Sequence, residues 1–354
     1  MANSSQGKIV YRQAGPEDTW GMSELRKFFI DPSDGTRRSC EPKYYEWKLY
    51  NNPIHPGIAY IAEAGNKIVG MIAVSTRPMK VSCKSYLAGE LGDGFVHPDY
   101  QRRGIFYSLL STILPKVDKL GFVFTYGTPT AQAFSVEKKV GYIAVNTVHL
   151  KLYIRPLSLE KLFVRKKPNI ITNSLGRFGQ SIYDSFLLGK TNYLSTTIEK
   201  VSYENELIKK CYENSQCDVH ANISNNYLSW RYDNNPDNYE IHTLKHDRFG
   251  DGFYIIKIGY SRGYRTGYVA DYGYTYKSNM LKIIFSSALQ RLRQLNVDIA
   301  ATWAGSIPGD KKALISLGFI PTTSPFIIVR PGPNAPAKLS QSSWRFCIAD
   351  SDNI

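Results

Sequence analysis

The residues with the clearest capacity for chemistry are Gln101, Arg102, Arg103 and Gly104, which follow an apolar, strand-like segment and precede an amphipathic one. Arginine side chains donate charge-assisted hydrogen bonds to phosphate oxygens. Glycine lets the backbone approach a ligand closely, and backbone amides at the start of a helix point towards an anion placed there. This short segment therefore predicts a phosphate-binding loop.

Two neighbouring elements must position this loop. The strand before it carries Glu90 and Asp93 in a glycine-rich run. Their odd spacing puts them on opposite faces of a regular strand, so both can face one cleft only if a bulge intervenes. A helix is predicted after the loop, because apolar residues recur there at helical spacing. They are Ile105, Phe106, Leu109, Leu110, Ile113, Leu114 and Val117. Pro115 is expected to kink or restart this helix.

Length and charge favour a protein with two cores and an anionic partner. The chain has 354 residues and a formal net charge of +14. Phosphates on a cofactor and a substrate are sufficient to explain that charge, and no nucleic-acid partner is expected because no recognisable binding module accompanies it. The five cysteines form neither a disulfide framework nor a metal-binding pair, so no metal is expected. No apolar run is long enough to span a membrane and residues 1–10 lack a secretory signal, which favours a cytoplasmic protein.

An internal repeat organises the rest of the chain. Residues 44–53 match residues 227–236 without a gap, at an offset of 183, and both segments end in Asn-Asn-Pro, which is typical of a helix end. Residues 139–142 are similar to residues 316–319, at an offset of 177. Two landmarks in the same order at nearly the same separation predict two copies of one fold.

The strand, the Gln-x-x-Gly loop and the helix together resemble the pyrophosphate loop of the GNAT superfamily of N-acetyltransferases. The family pattern is Gln/Arg-x-x-Gly-x-Gly/Ala, and here Phe106 replaces the last small residue. The resemblance implies an α/β fold with a mixed α+β sheet, in two tandem GNAT-like domains. They are an acetyl-CoA-binding domain at 1–155, a helical linker at 156–200 and a degenerate copy at 201–354. Residues 279–284 replace the loop in that copy, without its glycine and arginines.

The same resemblance assigns roles to individual residues. Acetyl-CoA is the implied co-substrate, with its pantetheine arm on the backbone of one strand and its pyrophosphate on the loop, and the cofactor-binding residues are Phe95, Val96, Gln101, Arg102, Arg103, Gly104, Ile105 and Phe106. Asp93 or Glu90 is the implied base. Many family members have a tyrosine four residues before the glycine of the last helix, and this tyrosine acts as the acid that protonates the leaving thiolate. Glu137 occupies that position here, so Tyr126 is the candidate that could replace the tyrosine.

The expected activity is N-acetyl transfer to an amine. Residues 126–129 and the Trp-Arg-Tyr of the second copy look similar to bacterial GNAT proteins of surface-polysaccharide assembly, which implies a nucleotide-linked amino sugar as acceptor. The alternatives are a peptidyl or aminoglycoside acyltransferase, or a module that binds acyl-CoA or nucleic acid without catalysis. The acidic C-terminal residues are expected to fray, and the oligomeric state is left open.

Overall fold

The computed structural model describes residues 8–31, 33, 40–158, 196–200 and 206–351, and residues 196–200 only by their backbone. Most of the helical linker expected at 156–200 thus lies outside the described residues. The described part is a mixed α/β fold with two sheets, as expected. No helix in these ranges is long and apolar enough to cross a membrane.

The first sheet is built mainly by the N-terminal copy. Its own strands, in chain order, are β1 (Ile9–Gln13), β2 (Ile58–Ala64), β3 (Lys67–Val81), β4 (Lys84–Val96), β5 (Phe124–Gly127) and β6 (Ile143–Ala144). Its helices are α1 (Thr19–Lys27), α2 (Pro42–Tyr45, continued by a π-helical turn at Glu46–Tyr50), α3 (Ile105–Lys119) and α4 (Ala131–Glu137). Helix α3 continues through Pro115 without restarting and buries the predicted apolar face, with Phe106 only half-buried.

The second sheet repeats this order of elements. The remaining strands are β7 (Lys151–Pro156), β8 (Thr196–Lys200), β9 (Val219–Ala221), β10 (Tyr239–His246), β11 (Gly250–Ser261), β12 (Tyr264–Tyr274), β13 (Ile299–Ala304), β14 (Ile320–Pro321) and β15 (Ile328–Pro331). Of these, β9 and β15 belong to the first sheet, where β9 pairs with β3. The helices are α5 (Glu206–Glu213), α6 (Asn225–Leu228, continued by a π-helical turn at Ser229–Asp233), α7 (Met280–Gln294) and α8 (Asp310–Ser316).

The two copies exchange strands. The first sheet has the order β1-β2-β3-β4-β5-β15-β6, and the second has β14-β7-β13-β12-β11-β10-β8. Strand β15 of the second copy therefore lies between β5 and β6 of the first, while β7 pairs with β13 of the second. Residues 143–154 do not form one continuous strand, because β6 and β7 lie in different sheets. The domain limits at 155 and 201 stay a prediction.

Candidate active site

The loop before α3 has the geometry of an anion site. Gly104 caps the helix with φ +77°, in the left-handed region that favours glycine, and Arg102 has φ +62°. The Ser108 amide donates to the Gly104 carbonyl at 3.0 Å. The amides of the three preceding helical residues, 105–107, therefore have no acceptor within the helix and point beyond its N-terminus.

Two side chains of the loop are fixed to the residues before it, one to the end of β4 and one to the turn that follows β4. Gln101 Nε2 donates to the carbonyl of Val96 at 3.1 Å, and an Arg103 guanidinium nitrogen donates to the carbonyl of Asp99 at 2.7 Å. The Arg103 guanidinium also lies over the Tyr100 ring, 5.0 Å from its centroid. Arg102 is exposed beside Gly104. The loop thus holds two cations next to the amides of the helix N-terminus.

Phe106 occupies the position at which the GNAT loop pattern has a glycine or alanine, and the structure provides space for its ring. Its ring packs against Gly94 in β4, where a Cβ atom would lie only 2.7 Å from Phe106 Cε2. The missing side chain of Gly94 therefore provides the space that Phe106 fills. Sequence reasoning noted Phe106 but had no signal that Gly94 compensates for it.

Strands β4 and β5 run parallel for a short distance and then separate. They pair at Ala88 with Phe124, Gly89 with Thr125 and Glu90 with Tyr126. Beyond Glu90, β4 continues to Val96 in pairing with β3, whereas β5 ends at Gly127. Phe95 and Val96 thus lie on the part of β4 that β5 does not cover, between the pairing point and the loop. The structure brings the predicted pantetheine and pyrophosphate residues together along one edge.

A bulge in β4 brings the two candidate bases to one cation. Asp93 has φ +52°, and the pairing of β3 with β4 shifts register between Met71 and Ala73. Because of this bulge, Glu90 and Asp93 face the same side. Lys48 Nζ lies 2.7 Å from Asp93 Oδ2 and 3.6 Å from Glu90 Oε2.

Further cations surround this pair. The Arg26 guanidinium donates a hydrogen bond to the Asp93 carboxylate. An Arg77 guanidinium nitrogen lies 4.0 Å from Glu90 Oε2, and Ser75 Oγ donates a hydrogen bond of 3.2 Å to the same oxygen. Glu90 is fully buried and Asp93 is 5% exposed. Burial alone would lower the pKa of Arg26, but the Asp93 carboxylate and nearby tyrosines raise it well above its ordinary value. Both carboxylates are therefore held in a buried ionic network.

Sequence reasoning missed the cations of this network. A signal for one of them was available, because Lys48 lies in the repeated segment and Arg231 occupies its position in the second copy. Likewise, Asp271 of the second copy is the counterpart of Asp93 at an offset of 178, and it is buried and paired with Arg345 at 2.8 Å. A buried acid with a basic partner is thus common to both copies.

Tyr126 lies on the other side of the pairing point, against the C-terminal segment. It is fully buried, its hydroxyl donates to the carbonyl of Asp350 at 3.2 Å, and its ring contacts the edges of Trp344 and Phe346. Burial raises its pKa well above the ordinary value. The expectation that the acidic end frays is wrong for residues 344–351, because their apolar side chains pack into the core between the copies and Ser351 Oγ lies 2.9 Å from Thr128 Oγ1.

Glu137 is a further group with unusual surroundings. It is the last residue of α4 and is buried, and its Oε2 makes no hydrogen bond to any described residue. Burial raises its pKa to about 7. A carboxyl group of this kind can release or take up a proton near neutral pH. The residue was identified from sequence only as a departure from the family pattern.

The second copy has no equivalent anion site in its described residues. At the start of α7, the amide of Met280 donates to the carbonyl of Lys277 at 2.9 Å, and the amide of Leu281 donates to the carbonyl of Ser278 at 3.0 Å. These turn hydrogen bonds occupy the first two amides of α7, whereas the first amides of α3 have no acceptor within their helix. The described residues also contain no group of three or more His, Cys, Asp or Glu side chains arranged to hold a metal ion.

The chain is similar to known proteins in part of its sequence and in its fold. Residues 29–144 match the family model described as an acetyltransferase (GNAT) domain. No curated protein sequence matches the chain significantly. Saccharomyces cerevisiae N-myristoyltransferase with bound myristoyl-CoA is similar in structure, with a TM-score of 0.65 and 14% identity over 97% of this chain and 85% of that one.

Two further structures have the same fold. A GCN5-related N-acetyltransferase from Anabaena variabilis ATCC 29413 has a TM-score of 0.58 and 12% identity, over 92% of this chain and 73% of that one. A conserved protein from Enterococcus faecalis V583 has a TM-score of 0.60 and 13% identity over the same shares of the two chains. The family match over residues 29–144 supports acyltransferase activity, and the solved structures, at 12–14% identity, show the shared fold.

Proposed function

We propose that the chain transfers an acetyl group from acetyl-CoA to an amine, with one cofactor bound per chain in the first copy. The observation that carries this proposal is the line formed by the open amides at 105–107, the loop cations and the uncovered edge of β4. The amides and arginines suit a diphosphate, and a strand edge suits the amide groups of a pantetheine arm. The second copy offers no such line in its described residues.

The thioester is proposed to lie near the bulge at Asp93, where β4 and β5 separate. There the amine nitrogen attacks the thioester carbonyl carbon, the C–N bond forms, the C–S bond breaks and coenzyme A leaves as a thiolate. The ammonium proton is taken up by Asp93 or Glu90. Their ionic partners, Lys48 and Arg26, hold these carboxylates in place around the reacting centre.

The thiolate requires a proton, and two groups are candidates to supply it. Glu137 has a pKa of about 7 and therefore holds its proton in part of the population at neutral pH. Tyr126 donates its hydroxyl hydrogen to the Asp350 carbonyl, and burial raises its pKa further. These properties favour Glu137 over Tyr126 as the donor.

A nucleotide-linked amino sugar is our proposed acceptor. The net charge of +14 supports a second phosphorylated ligand besides the cofactor. A polycationic aminoglycoside fits that charge less well. The alternative acceptor is a peptide amine, which the thiol-release assay below compares with nucleotide amino sugars.

Calorimetry with acetyl-CoA tests the cofactor site. The double variant Arg102→Ala, Arg103→Ala should bind about a hundredfold more weakly than the unchanged protein, since it loses two charge-assisted contacts of about 1.5 kcal/mol each. The matched control is Lys116→Ala, Lys119→Ala, which removes the same charge from the exposed C-terminal end of the same helix. Equal weakening by both double variants, or no binding to the unchanged protein, would overturn the cofactor site.

A thiol-release assay tests the reaction. Acyl-CoAs of increasing chain length are combined with nucleotide amino sugars, an aminoglycoside and a peptide with a free amino terminus. We expect the largest kcat/KM for acetyl-CoA with a nucleotide amino sugar. A peptide turned over faster than every sugar would replace the proposed acceptor but leave the acyltransferase proposal intact.

A further inference from the structure

Four aromatic residues form a strip along the part of β4 that β5 does not cover. The Phe29 ring packs against the Phe95 ring with centroids 4.8 Å apart, and the Phe28 ring packs against the His97 ring with centroids 4.4 Å apart. Side chains two residues apart on an extended chain point to the same side, so Phe95 and His97 both face the end of α1. We call Phe28, Phe29, Phe95 and His97 the aromatic strip.

One end of the aromatic strip lies beside the proposed reacting centre. The Arg26 guanidinium donates a hydrogen bond to the Asp93 carboxylate and lies over the Phe95 ring, 5.5 Å from its centroid. Phe29 packs on the same ring, so it borders the place proposed for the thioester. The opposite end of the strip, at Phe28, adjoins the turn that precedes the phosphate-binding loop.

Two rings of the strip are open to a ligand. Phe28 is 58% exposed and Phe29 is 39% exposed, although both are large apolar side chains. The Phe29 ring is inclined by only 31° to the Phe95 ring, which covers one of its faces and leaves the other outward. The Arg26 guanidinium lies over Phe95 and not over either outer ring. Phenylalanine offers no hydrogen-bonding group, so these rings can bind a ligand only through a flat or apolar surface.

We propose that Phe28 and Phe29 form a stacking platform for the nucleobase of the acceptor. This proposal rests on the proposed function, which places the thioester near Asp93 and takes a nucleotide-linked amine as acceptor. A nucleobase binds an aromatic ring through its π-face and needs no hydrogen bond to do so. The hydroxyls of a sugar ring need polar partners, which the two phenylalanines lack.

The adenine of the cofactor does not fit this position. With the diphosphate on the loop and the thioester near Asp93, the pantetheine arm runs along β4 beside the strip. The adenine then lies beyond the loop, a whole pantetheine arm away from the reacting centre that Phe29 borders. A base stacked on Phe29 therefore belongs to the acceptor.

Calorimetry on the full chain saturated with acetyl-CoA tests the platform, because the cofactor then fills the loop. The probes are uridine diphosphate, guanosine diphosphate and inorganic pyrophosphate, which has no base. Both nucleotides should bind more tightly than pyrophosphate. Phe28→Leu and Phe29→Leu keep an apolar side chain but remove the flat ring, so each should weaken nucleotide binding about fivefold or more and leave pyrophosphate binding unchanged. Phe29→Trp, which restores a flat ring, should retain nucleotide binding.

Trp20→Leu is the matched control, because Trp20 is an exposed aromatic residue near the other end of α1. Urea unfolding verifies that each variant is folded. Nucleotide binding that is absent, or that is equally strong in Phe29→Leu and Trp20→Leu, overturns the platform. If Phe28→Leu and Phe29→Leu weaken acetyl-CoA binding as much as nucleotide binding, the rings serve the cofactor and the proposal is wrong. Failure of the unchanged protein to bind acetyl-CoA counts against the proposed function, and the same variants titrated with uridine diphosphate alone then decide the platform.

Discussion

Trp47 and Trp230 stack on each other and exchange hydrogen bonds. Their ring centroids lie 4.8 Å apart at an interplanar angle of 15°. The indole nitrogen of Trp47 donates to the carbonyl of Trp230 at 2.7 Å, and that of Trp230 donates to the carbonyl of Trp47 at 2.9 Å. The two residues occupy equivalent positions of the repeat, so each makes the same hydrogen bond to the other, as equivalent residues do across a two-fold axis. The repeat thus describes how the copies pack as well as how each folds.

This tryptophan pair should contribute strongly to stability. We expect Trp47→Ala or Trp230→Ala to lower the free energy of unfolding by about 3–5 kcal/mol, because each removes a buried aromatic side chain and one of the two hydrogen bonds. Urea unfolding measures this change. Trp20→Ala is the control, since Trp20 is 66% exposed and its loss should cost no more than about 0.5 kcal/mol. Similar losses at Trp230 and Trp20 would contradict a shared core.

The packing of Phe106 on Gly94 should be visible in cofactor binding. Gly94→Ala places a methyl group against the Phe106 ring and should cost about 1 kcal/mol, the low end for overpacking, because Gly94 is exposed and the half-buried ring can move, shifting the start of α3. Calorimetry with acetyl-CoA should show weaker binding. In a Phe106→Ala background, Gly94→Ala should have almost no further effect, because the steric conflict is gone. An undiminished effect of Gly94→Ala in that background would show that the ring is not the cause.

Lys48 should be essential to the stability of the first copy. Lys48→Met leaves the buried Glu90 and Asp93 with less compensating charge, which we expect to destabilise the fold by about 3–5 kcal/mol in urea unfolding. Replacing Glu90 by Met as well should recover part of that loss. Lys27→Met breaks an exposed pair with Glu24 and should change stability by at most about 1 kcal/mol. If Lys48→Met and Lys27→Met change the free energy of unfolding by the same amount, the buried ionic network contributes little to stability.

Glu137 should make stability depend on pH. Its pKa rises from 4.5 to about 7 in the folded state, so between those values the folded chain binds more protons than the unfolded chain and stability falls as pH rises. The loss should be about 3 kcal/mol when complete. Urea unfolding at pH 5 and pH 8 should show a larger decrease for the unchanged protein than for Glu137→Gln. Equal decreases would mean that Glu137 titrates normally.

Much of the candidate cofactor site could be predicted from sequence because it depends on local structure. A glycine with positive φ, the amides of a helix N-terminus and adjacent arginines lie within a few residues of one another. The apolar face of α3 follows from helical spacing, and the repeat from two matched segments. These features need no knowledge of distant partners.

The remaining features depend on contacts between distant parts of the chain. Pairing of β15 with β5 and of β7 with β13 joins different copies, and equivalent strands of a repeat have no local signal that tells one sheet from the other. The bulge at Asp93, which turns a carboxylate towards Lys48, depends on the register with β3. Sequence by itself therefore determined the loop, its helix and the existence of two copies. Tertiary structure decided which strands complete each sheet and which charged side chains pair. The reason is that the free energy gained when a strand or side chain is buried depends on the residues it packs against, and these lie far away in the chain.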